Sequence, residues 1–112
     1  MPMADLVNEI MDKSRMLDVA ISELKRRGQK YAEAERDYRV ALAKQMLLER
    51  DNGMPVTIIS DICKGKTEIA TLRFNRDCAE VLYKSAMEAI NSMKLQIRLM
   101  DSQLDREWGA AK

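Results

Sequence analysis

Apolar residues recur at every seventh position through the first half of the chain. Ile10, Leu17, Leu24, Tyr31 and Tyr38 form one track, and Leu6, Ala20, Ala34, Ala41 and Leu48 form a companion. Glu, Lys, Arg and Gln fill the positions between, which is the pattern of a helix with one apolar stripe. No proline interrupts it from Met3 to Asn52, and Asn52-Gly53 followed by Pro55 is the stop signal of a helix C-terminus. The spacing predicts a helix over about residues 4–52, roughly 70 Å long at 1.5 Å per residue. The second half repeats the pattern. Ile69, Tyr83, Ile90, Ile97 and Leu104 make one track, broken only by Arg76, and Leu72, Ala79, Ala86, Met93 and Met100 make the other. A second helix is expected over about residues 67–108. Two such helices joined by a short connector fold back on each other as an antiparallel hairpin with a coiled-coil-like seam.

The connector, about residues 54–65, carries its own signals. Pro55 fixes the entry, Thr57 is the expected cap of a short helix, and Gly65 is its expected left-handed exit. Pro55, Ile58, Ile59 and Ile62 then form a cap, with the three isoleucines plugging the open end of the hairpin. A strand over Val56–Ile59 fits propensity but has no partner strand in the chain. A hairpin closing about residue 60 sets Gly28 opposite the Ile90–Met93 region, as a close approach or kink, or as a tolerated defect costing about 1 kcal/mol. Phe74, Cys78, Val81, Leu82, Leu95 and Leu99 lie off the main seam of the second helix, as Val19, Val40, Met46 and Leu47 do in the first. A hairpin has one internal seam, so these residues face water unless a further surface covers them. Self-association into a dimeric four-helix bundle is the simplest solution.

Composition agrees with this all-α, single-domain reading of residues 1–112. Charged residues make up 33% of the chain and there are only four Gly and two Pro, while the apolar share is Ala, Leu, Ile and nine Met rather than aromatics. Nineteen Lys and Arg against 18 Asp and Glu leave a formal charge of +1, without the excess that a phosphate-neutralising surface needs. The two cysteines, Cys63 and Cys78, have no metal-site spacing and the chain has no His; free, buried, reduced thiols are expected. The first residues lack the basic and apolar regions of a signal peptide, and no stretch is apolar enough to span a bilayer. A cytoplasmic protein without a membrane partner is expected.

Several motifs invite a chemical reading. Gly65-Lys66-Thr67 has the last three letters of a P-loop, but that motif needs a glycine where Ser60 stands and a buried strand before it. Capping explains the same letters: Gly65 ends the short helix, Thr67 caps the next, and Lys66 is an exposed charge. A helix-turn-helix would place Ser60, Lys64, Lys66 and Thr71 where that motif buries apolar residues, and has no third supporting helix. Without His, Ser and Cys have no activating base. Glu9/Asp12 and Asp101/Asp105 share helix faces but lack the paired Glu-x-x-Glu spacing of a helical Mg²⁺ site. No catalytic residue, metal or cofactor is therefore expected, and the chain is read as a non-enzyme. The densest basic cluster, Lys25, Arg26, Arg27 and Lys30, is a candidate contact for a partner or nucleic acid, although acidic neighbours and the absence of aromatics favour a solvated helix face.

From Tyr38 to Gly109 the blocks YRVALAK, ERDNGMPVTII, ATLRFNRDCAEVLYKSAMEAIN and KLQIRLMDSQLDREWG resemble a family of small, uncharacterised phage and prophage proteins of Gram-positive bacteria. The resemblance implies a phage early-region or accessory role in the cytoplasm of the bacterial host, rather than a virion shell, and brings no catalytic residues with it. The first 30 residues match less distinctly, so the basic cluster lies outside it. Together these features lead to an expected non-enzymatic phage accessory protein, a homodimer acting on a protein partner such as a host defence or DNA-metabolism factor. The alternative is a nucleic-acid-associated factor of phage recombination or replication.

Overall fold

The computed structural model describes residues 2–111. They form three helices, α1 (Met3–Asp51), α2 (Val56–Lys64) and α3 (Thr67–Ala111), and among the described residues there is no strand. The all-α expectation holds, with α3 running past Trp108 to Ala111. Two compact units can be distinguished: Arg27–Tyr83 is one, and the described residues up to Arg26 with those from Lys84 onward make the other.

The Arg27–Tyr83 unit contains the turn. α1 stops because Gly53 takes φ +90°, a conformation that costs other residues a Cβ clash. Its N–H bonds to the Arg50 carbonyl at 3.0 Å, and the Met54 N–H bonds to the Glu49 carbonyl at 3.0 Å. These are the two crossed bonds of a Schellman motif, which satisfy carbonyls that the helix end would otherwise orphan. Pro55 follows as the N-cap of α2, and its carbonyl accepts the Ile58 N–H at 3.2 Å. α2 therefore begins at Val56, and Thr57 lies inside the helix instead of capping it. The exit also differs from expectation. Gly65 sits at φ −80°, ψ −10°, an ordinary right-handed conformation, and Thr67 is already the first residue of α3.

Beyond the turn, α1 and α3 run antiparallel, and the seam tracks meet as the heptads require. Tyr38, Ile59, Cys63 and Ile69 are buried, and Tyr31, Leu72, Ala79 and Tyr83 are half-buried. The register differs from a closure about residue 60. Arg27 reaches Leu82, Tyr31 reaches Glu80 and Glu35 reaches Arg76, so the hairpin folds about Pro55. The Schellman turn is tight and α2 falls wholly on the α3 side of it, which moves the midpoint. Gly28 accordingly lies against Tyr83 and not against the Ile90–Met93 region. A Cβ on Gly28 would stand 3.0 Å from Tyr83 Cε2 and 3.4 Å from Cδ2, so the ring would have to give by a few tenths of an ångström to admit it.

In the other unit Leu6, Ala86 and Ile90 are buried, and Ile10, Leu17, Leu24, Met93, Ile97, Met100 and Leu104 are half-buried along the same two tracks. No polar or charged residue is buried among the described residues of either unit. Two helices alone make a thin layer, and most side chains keep contact with water.

Candidate functional site

The connector cap is built from one face of α2. Ile59 and Cys63, one turn apart, are buried; Ile58 and Ile62 are exposed, as are Pro55 and Val56. The expectation that Ile58, Ile59 and Ile62 all plug the hairpin is thus corrected. Ile59 and Cys63 share the inward face of α2, and Ile58 and Ile62, each one residue and about 100° away, fall on the solvent side. Against this helix lies an open groove of about 450 Å³ lined by Ala43, Met46, Leu47, Arg50, Val56 and Ile59. Leu47 (61%) and Val56 (73%) are largely exposed at its sides. Arg50 has no side-chain hydrogen bond or ion pair among the described residues, whereas its neighbour Glu49 is committed elsewhere.

That commitment accounts for the Gly-Lys-Thr letters. Lys66 Nζ donates to Glu49 Oε1 at 2.7 Å, joining the start of α3 to the end of α1, and Gln45 Nε2 donates to the same oxygen at 3.0 Å. The Lys66 hydrogen bond holds the Glu49 carboxyl below its ordinary value, and Glu49 raises the Lys66 ammonium above its own. Lys66 is a strut and not the exposed charge expected. The residues before Gly65 are helical, so no loop of N–H groups wraps an anion there.

A second surface is the outward side of α3 in the same unit. Thr71, Phe74, Cys78 and Val81 recur at spacings of three, four and three; all are exposed and none is charged. Leu82 flanks them at 53% exposure. The position opposite an internal seam is where a solvated helix normally carries charge. Cys78, expected to be buried, is exposed on this face because it lies off the seam positions Arg76 and Ala79; Cys63 alone of the two thiols is buried. Leu95 and Leu99, the remaining members of the candidate self-association face, are exposed on α3 within the other unit.

The basic residues are distributed between the units. Arg26, in the unit that includes Lys84 onward, donates from Nε and Nη2 to both Glu23 carboxylate oxygens at 2.9 and 2.5 Å, which raises its pKa. Arg27, in the other unit, donates to the Leu82 carbonyl at 3.1 Å. Lys25 and Lys30 are exposed. Further along, Arg39 pairs with Glu35 at 2.5 Å and Arg36 with Asp37 at 3.1 Å, so acidic neighbours neutralise much of the positive charge.

One arrangement has no counterpart in the sequence reading. Arg76 occupies a seam position, and its guanidinium lies 4.7 Å over the Tyr38 ring, 2.8 Å from Asp77 and 3.4 Å from Glu35. The hydrogen bond from Arg39, helped by Arg76, holds Glu35 below the usual carboxylate range, and Asp77 raises Arg76. A cation on the seam track, opposite a track that carries tyrosines, is the signal that points to it.

Among the described residues no group of three or more Cys, Asp or Glu is placed to hold a metal ion, and no helix is long and apolar enough to cross a membrane. Comparison with family models, with curated proteins and with solved structures finds no match to this chain.

Proposed function

We propose that this chain is a non-enzymatic protein-binding module, a phage accessory protein that self-associates and acts on a host defence or DNA-metabolism factor. The observation that carries the reading is the uncharged stripe Thr71, Phe74, Cys78 and Val81 on the solvent side of α3, with Phe74 66% and Val81 62% exposed. In a chain of which a third is charged, an apolar row at the outermost helix positions calls for a covering surface. A second copy supplies one, since two-fold pairing lets the same stripe meet itself. The phage setting is supported by the resemblance of Tyr38–Gly109 to that family.

Light scattering over a range of concentrations tests it. The wild-type chain should have the mass of a dimer, and a Phe74→Glu/Val81→Glu variant should be monomeric with unchanged circular dichroism. A wild-type monomer at every concentration overturns self-association. Tagged wild-type chain and the same variant, used in pull-downs from infected or lysogenic cells, should differ in what they retain. Short single- and double-stranded DNA should give no mobility shift at low salt. A salt-sensitive shift lost in Lys25→Glu/Arg26→Glu would replace this reading with a nucleic-acid one.

A further inference from the structure

The groove between α1 and α2 has features that specify an occupant. Ala43, Met46, Leu47 and Arg50 follow one another at spacings of three, one and three along α1, so they present one face about 10 Å long, some two helical turns. Both walls are helices, and the groove offers no strand edge with which an extended peptide can pair. A helix needs no such edge, because its backbone groups bond within itself. Five apolar residues, Ala43, Met46, Leu47, Val56 and Ile59, receive its apolar side chains, with Met46 able to adjust to their shape. At one end stands Arg50, a planar cation without a side-chain partner among the described residues, suited to a carboxylate taken through two parallel hydrogen bonds. The lining has no aromatic ring for a base to stack on and a single cation for phosphates, which sets nucleic acid aside.

We infer that the cap groove docks an amphipathic helix of a partner protein, with apolar anchors at i, i+3 or i+4, and i+7, and an Asp or Glu beside them that pairs with Arg50. This rests on the protein-binding reading and adds to it the site and the chemistry of the partner.

The test uses the whole chain as bait for a displayed library of random helical peptides of about four turns, and the strongest binder is then synthesised with a fluorescent label. Enriched peptides should share the apolar spacing and an acidic residue. Leu47→Glu should weaken the labelled peptide at least about tenfold, and Arg50→Ala about fivefold. Selection against Arg50→Glu should return Lys or Arg in place of the acid. Leu47 and Arg50 are exposed, so circular dichroism should be unchanged in each variant. Enriched peptides that lack the acid, or that bind Leu47→Glu as well as wild type, overturn the inference. Binding lost in Phe74→Glu and kept in Leu47→Glu also overturns it, while leaving the protein-binding reading in place. A chain that enriches no peptide and is monomeric in light scattering overturns both.

Discussion

Gly53 and Gly65 flank the same short helix and answer to different constraints. Gly53 holds φ +90°, and the two crossed hydrogen bonds that end α1 depend on that conformation. Alanine there places a Cβ against the following carbonyl, so Gly53→Ala should destabilise the chain by about 1–2 kcal/mol. Gly65 lies in the right-handed region, and a Cβ would meet the Ile62 carbonyl at an ordinary 3.5 Å. Gly65→Ala should then be neutral or stabilising by up to about 1 kcal/mol, because it restricts the unfolded chain. Thermal denaturation of the two variants checks the pair, which should move in opposite directions or differ by several degrees. Loss of stability in Gly65→Ala equal to that in Gly53→Ala would show that the assigned turn geometry is wrong. The pattern N-G-x-P made the first glycine legible in the sequence. The second was misread because Gly at a helix end is commonly left-handed, and only the backbone itself distinguishes a helix that bends into the next from one that reverses.

At the scale of elements, the seam tracks were readable because period seven fixes which side of a helix is apolar, whatever the turn does. Register was not. It depends on the turn geometry and on the side to which α2 falls, and neither has a periodic signature. The same gap hid the choice of Ile59 and Cys63 over Ile58 and Ile62, since adjacent positions on a short helix differ by a rotation that its neighbours set. Two contacts test the register directly. Gly28→Ala gains helix propensity of about 1 kcal/mol but drives a Cβ to 3.0 Å from the Tyr83 ring. The substitution should lower stability in the wild-type background and raise it in Tyr83→Ala, a coupling that a double-mutant cycle by denaturant unfolding reads out. Equal effects in both backgrounds would place Tyr83 elsewhere. The Glu49–Lys66 strut has a pH signature. Glu49 is depressed when folded, so its contribution is present above the ordinary carboxylate value of 4.5 and is lost as pH falls through the lower folded value. Lys66 is raised, so its contribution is complete below its ordinary 10.5 and is lost as pH rises through the higher folded value. The Tm difference between wild type and Glu49→Gln should therefore be largest in the neutral range and shrink towards both extremes. A difference independent of pH would remove the ion pair from the account.

For the molecule as a whole, charge and apolar surface make separate contributions to association. Nineteen cations nearly balance 18 anions, and many are paired within a turn or two on their own helix: Arg15 with Asp12, Arg26 with Glu23, Arg36 with Asp37, Arg39 with Glu35. Such a surface has little long-range field, so it neither steers a charged partner nor repels a second copy. The proposed self-association would then be driven by burial of the α3 stripe, which salt does not screen as it screens charge. Mass action then links stability to concentration. If the folded chain pairs and the unfolded chain does not, Tm rises with protein concentration. We expect the wild-type Tm to climb over a hundredfold range of concentration and to change little between low and moderate salt. In Phe74→Glu/Val81→Glu the concentration dependence should vanish, with Tm close to that of the dilute wild type, because both side chains already face water in the single chain. A strong salt dependence of the wild-type slope would instead assign the contact to charged groups. A flat wild-type Tm would leave the α3 stripe to a partner of a different sequence.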